Sequence, residues 1–110
     1  NELRRRVLAL ARGMIGVTCL KVDIMTLLDS RLPPDAVVYV DPPYQSTTGY
    51  GFDFNLMSFI DRFRRLNLAP LFVSEGAPLN EESLLLTFSG AKGGISGVRK
   101  GRHQEWLCRF

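Results

Sequence analysis

Three features of the chain point to an α/β domain built on a mostly parallel sheet. A short apolar run from Val37 to Val40 stops at Asp41-Pro42-Pro43. Two stretches, 2–12 and 56–66, repeat apolar residues with helical spacing. Further β-favouring segments at 17–22, 70–74, 84–88 and 104–110 offer neighbours to the first strand. An apolar run this short, without alternation, reads as a strand buried on both faces, as in a parallel sheet flanked by helices. A chain of 110 residues has room for one such domain.

The elements follow in order. Residues 2–12 are expected to be helical, with Leu3, Val7, Leu8, Ala11 and Met14 on one stripe and Gly13 and Gly16 ending the helix. Val17 to Val22 is a strand candidate that delivers Asp23 at its carboxyl end. Ile24 to Leu28 is a short helical turn, because Pro33-Pro34 forbids a longer helix. The strand at 36–40 comes next and stops at Pro42 and Pro43, which have no N–H for the ladder. Gln45 to Gly51 is a polar, glycine-punctuated loop of the kind that closes over a substrate. Asn55 is an N-cap for helix 56–66, whose buried stripe is Leu56, Phe59, Ile60, Phe63 and Leu66. Arg62, Arg64 and Arg65 suit its C-terminal end. A strand at 70–74 leads through a connection of helical character at 79–83 to strand 84–88. A glycine-rich, basic segment, 89–102, then joins the final strand at about 104–110.

Composition excludes several classes. The chain is 45% hydrophobic and 23% charged, ordinary for a soluble globular protein. No uninterrupted apolar run approaches about 18 residues, so no membrane span is expected. Arg4-Arg5-Arg6 opens an amphipathic segment, unlike a signal peptide. Cys19 and Cys108 are too few and too far apart for a disulfide framework or a metal site; both are expected as buried thiols in strands, in a reducing cytoplasm. The net charge of +3 is uneven: residues 13–90 hold five basic and nine acidic groups between two basic ends. That arrangement suits a protein that grips phosphates around a pocket for a cationic cofactor, and equally a solvated surface. The chain begins with Asn1, which suggests an N-terminal truncation.

The carboxyl end of a parallel strand is where open α/β sheets bind ligands, so Asp41, the proline carbonyls and the Tyr44 ring are expected together at the mouth of a pocket. Asp41-Pro42-Pro43-Tyr44 is followed by Thr48-Gly49-Tyr50-Gly51-Phe52-Asp53, by Val73-Ser74-Glu75 with Pro78 after it, and by Glu105-Trp106-Leu107. These blocks, in this order from about Val17 to the end, resemble the Dam-type (DPPY) adenine-N6 DNA methyltransferases. The resemblance implies a partial Rossmann-like methyltransferase sheet with an antiparallel C-terminal strand, forming the C-terminal part of a catalytic domain. It implies S-adenosyl-L-methionine as cofactor, double-stranded DNA as partner, and a role in DNA methylation such as restriction-modification. It assigns chemistry to Asp41, Pro42, Pro43 and Tyr44, and cofactor contact to Asp41 and Asp23. Read from its residues alone, Asp23 caps the helical turn after it. Contacts to DNA fall on Tyr44, Tyr50, Lys92, Arg99, Lys100 and Arg102, although the basic loop also reads as a solubilising hairpin loop. His103, the only histidine, reads as structural, and no role is assigned to Glu75.

The chain departs from the family pattern where the family carries a Phe-x-Gly-x-Gly cofactor motif, a ribose-holding acid and a target-recognition segment. The isolated chain is therefore expected to bind cofactor poorly and to need an N-terminal segment or a complementary chain. Methylation of RNA adenine or of cytosine N4, and a non-catalytic remnant that binds DNA weakly, are the alternative readings. For the sheet, strand 17–22 is expected to pair in parallel with 36–40, and the final strand to insert between 70–74 and 84–88, antiparallel to both.

Overall fold

The computed structural model describes residues 1–43, 54–88 and 103–110. Their architecture is mixed α/β: helix α1 (Glu2–Gly13), a 3-10 helix (Ile24–Leu27), strand β1 (Val38–Val40), helix α2 (Leu56–Leu66), and strands β2 (Leu71–Glu75), β3 (Leu84–Phe88) and β4 (His103–Arg109). The sheet order is β1-β2-β4-β3. β1 pairs with β2 in parallel, with Val38 beside Leu71 and Val40 beside Val73. β4 lies antiparallel to both β2 and β3, so β1, β2 and β3 share one direction and the last strand opposes them. The insertion of the final strand between the other two is therefore as expected.

Side chains alternate across the sheet, which sorts its two faces. Val38, Val40, Leu71 and Val73 point to one face and pack with Leu56, Phe59, Ile60 and Phe63 of α2. Full burial of such side chains stabilises by about 1.5–3 kcal/mol each. Asn55 caps α2, its Oδ1 accepting from the Ser58 N–H at 2.9 Å. Asn67 closes the other end and ties a distant segment to it: its Oδ1 accepts from Leu32 N–H at 2.8 Å and its Nδ2 donates to the Ser30 carbonyl. Arg62 pairs with Asp29, and Arg64 donates to the Ala69 carbonyl at 2.8 Å, so these arginines are engaged locally.

Several expectations are corrected. Residues 17–22 form no strand and make no ladder with β1; Val17, Leu20 and Val22 are exposed. β-branched composition does not hold a strand without a partner, and the next segment runs instead through the 3-10 helix to Leu28, which is buried in the α2 core. β1 is consequently an edge strand, covered on one face, with Tyr39 60% exposed rather than buried. Residues 79–83 form a turn rather than a helix, closed by Ser83 N–H to the Asn80 carbonyl. Leu66 is exposed, and the stripe of α1 buries nothing. Cys19 is exposed and outside any strand, while Cys108 is buried in β4; both are free thiols. No described helix is long and apolar enough to cross a membrane.

Candidate active site

β1 ends where its apolar residues end, and Asp41, Pro42 and Pro43 follow at its carboxyl end. Because Val38 and Val40 face the α2 core, Tyr39 and Asp41 belong to the opposite face. Continuing the β1–β2 register sets Ser74 beside Asp41. The hydrogen bonds agree: the Tyr39 hydroxyl donates to Ser74 Oγ at 3.0 Å, and Ser74 Oγ donates to Asp41 Oδ1 at 2.9 Å. Ser74 is buried and Asp41 exposed, so a hidden hydroxyl fixes one oxygen of a carboxylate that reaches solvent. Asp41 Oδ2 has no hydrogen-bond partner among the described residues.

One residue further along β2, the same register sets Glu75 beside Pro42, which is buried. Glu75 also faces Trp106 of β4 in the ladder. Its side chain is buried, Oε1 accepts from the Gly76 N–H at 2.8 Å, and Oε2 has no partner among the described residues.

Of the residues singled out from sequence, Asp41, Pro42 and Pro43 lie together at this strand end. Asp23 is not part of the sheet: it caps the 3-10 helix, its Oδ1 accepting from Met25 N–H at 2.9 Å. Tyr44, Tyr50, Lys92, Arg99, Lys100 and Arg102 lie outside the described residues. The chain leaves β3 at Phe88 and re-enters β4 at His103, which is opposite it, at the sheet end that carries Glu75 and Asp41. His103 is thus the first residue of β4.

Tyr39 and Ser74 are functional candidates that the sequence reading missed. Ser74 lay inside a recognised block, but its contact with Asp41 exists only through the register of two strands 33 residues apart. An open groove of about 700 Å³, lined among others by Arg64, Pro70, Glu82 and Arg109, lies at the opposite end of β2 and includes neither Asp41 nor Glu75. The chemistry-bearing groups decide the site here, so the strand end outranks the groove. Among the described residues no cluster of His, Cys, Asp or Glu could hold a metal ion.

The fold and site define a mixed α/β protein with a hydrogen-bonded aspartate at the end of a parallel strand. No family of known proteins, no curated protein and no solved structure matches the chain.

Proposed function

We propose that the protein is an S-adenosylmethionine-dependent DNA methyltransferase that acts on the exocyclic amine of adenine. The observation that carries this reading is Asp41, in its Asp-Pro-Pro-Tyr block, held by Ser74 Oγ at the carboxyl end of β1. Among the described residues Asp41 Oδ2 has no donor, and an exposed carboxylate oxygen of this kind fits ligands rich in N–H donors, as both the methyl donor and adenine are.

Bound S-adenosylmethionine would supply a methyl group on a sulfonium, an electrophile that needs a nitrogen lone pair. The adenine amine is a poor nucleophile because its lone pair is delocalised into the ring. Asp41 Oδ2 accepts one N–H of that amine and the Pro42 carbonyl accepts the other, which pyramidalises the nitrogen and frees the lone pair. Positive charge develops on the nitrogen during transfer, and the Asp41 carboxylate stabilises it and draws away the departing proton. Ser74, supported by Tyr39, keeps Oδ1 occupied so that Oδ2 is the oxygen presented. Pro42 fixes its own φ and Pro43 restricts it further, limiting the directions its carbonyl can take. The base must leave the duplex to reach this strand end, and the Tyr44 ring, next along the chain, stacks on it. Such stacking is worth about 1–3 kcal/mol, comparable with the cost of unstacking.

Mass spectrometry of nucleosides from DNA incubated with the complete protein and S-adenosylmethionine tests the reading. N6-methyladenine is the expected product; N4-methylcytosine alone, or no methylated base, overturns the adenine assignment.

A further inference from the structure

We propose that the protein forms a two-fold dimer through the outer edge of β3, which pairs antiparallel with β3 of a second copy. β3 is an outer strand of the sheet, with β4 on one side and no described strand on the other. It consists of Leu84-Leu85-Leu86-Thr87-Phe88, without a charge or a proline. Leu84 is 58% and Leu85 39% exposed, and Thr87 is exposed as well. An uncharged apolar edge presents backbone N–H and C=O groups to any other strand, and soluble proteins blunt such edges with charge, proline or brevity. The opposite edge of this sheet is blunted in that way. β1 has three residues, and Asp41, Pro42 and Pro43 follow it.

The occupant is a second copy because β3 matches itself. Directly opposite residues of an antiparallel pair lie on one face of the sheet. With all five residues overlapped, a two-fold axis therefore passes at Leu86. Leu86 then stands opposite Leu86 of the second copy, Leu84 opposite its Phe88, and Leu85 opposite its Thr87. No like charges meet. The flanks match as well: Glu81 and Glu82 precede β3, whereas the stretch after it, 89–102, carries Lys92, Arg99, Lys100 and Arg102 and no acidic residue. Antiparallel pairing runs the acidic approach of each copy toward the basic exit of the other, and parallel pairing would set acid against acid.

Two copies exhaust the edge, so the assembly closes as one continuous sheet with a β1 strand at each outer side. Asp41 lies away from the axis in both copies, which makes the dimer independent of the methyltransferase reading. A five-residue edge is small beside the roughly 1,200–2,000 Å² of a standard interface. Association should therefore be weak and depend on concentration.

Sedimentation velocity of the complete protein, from low micromolar to near-millimolar concentration, tests this. Wild type should pass from monomer to dimer and go no further. Leu86→Lys sets two like charges opposite each other on the axis and should weaken dimerisation by about tenfold or more, as should Leu86→Glu. Mixed in equal amounts, the two variants should dimerise again, because unlike charges then face each other. Should either variant lose its far-UV circular dichroism, Leu86→Cys in a Cys19→Ser background takes their place. A short bis-maleimide should join it to its counterpart, and should not join Met57→Cys, at an exposed position of α2. A wild type that stays monomeric throughout overturns the proposal. So does a dimer that either charge at Leu86 leaves intact, or a mixture of folded variants that stays monomeric. A Leu86→Cys protein that crosslinks no better than Met57→Cys overturns it too.

Discussion

Helices α1 and α2 are close to twins in local sequence and opposites in what they bury. α1 has 12 residues and α2 has 11; each starts at an asparagine whose side chain caps the first turn, and each carries arginine in its last turn. Each also presents an apolar stripe. Yet α2 buries Leu56, Phe59, Ile60 and Phe63, whereas no residue of α1 is buried. The difference lies in the partner. α2 precedes β2, and the Leu71 and Val73 side chains fill its grooves. α1 is followed by residues 14–22, which supply no sheet to cover it. Capping and periodicity decide that a helix forms; a facing surface decides whether it stabilises the domain.

The largest expected contrast comes from the stripes themselves. Phe59→Ala should lower the unfolding free energy by about 3–5 kcal/mol in urea denaturation, because Phe59 is 1% exposed. Leu3→Ala on the α1 stripe, where the side chain is 69% exposed, should change it by less than about 0.5 kcal/mol. Similar losses for the two would mean that α1 packs against the domain.

Next in size is Asn67, which α1 has no counterpart for. Asn67→Ala removes hydrogen bonds to Leu32 N–H and the Ser30 carbonyl in a buried setting and should cost about 2–3 kcal/mol. Amide hydrogen exchange should show faster exchange at Leu32 in that variant, and unchanged exchange there would mean that the tie is dispensable.

The caps give a smaller contrast. Asn55→Ala should cost about 1 kcal/mol of global stability, while Asn1→Ala should reduce helical circular dichroism slightly and leave the unfolding midpoint where it was.

The smallest effect is electrostatic. Arg5 first, and then Arg6, hold the Glu2 carboxyl below its ordinary value of 4.5. A lowered carboxylate value means that support for the folded helix is present above the ordinary value and is lost as pH falls through the lowered one. Below pH 4.5, at low salt, α1 should therefore lose helical signal, and Glu2→Gln or added salt should abolish that acid step.

The same contrast explains what could be read in the chain. Pro42 and Pro43 fixed where β1 ends, and Asn55 with its apolar spacing fixed α2, because those signals act within a few residues. The antiparallel final strand was legible through the resemblance of the ordered blocks. Residues 17–22 misled, since Val17 to Val22 have the composition of a strand but no ladder partner. The Tyr39–Ser74–Asp41 chain was illegible for a related reason. It depends on the register of β1 against β2, a relation between residues more than thirty positions apart.

Methyl transfer by Asp41→Ala, measured beside wild type in the complete protein, tests the central claim most directly. The rate of N6-methyladenine formation should fall by about a hundredfold or more while far-UV circular dichroism is unchanged, because Asp41 is exposed and buries no apolar surface. Ser74→Ala, which only releases Oδ1, should fall between the two. An Asp41→Ala protein that methylates adenine at the wild-type rate would contradict the account.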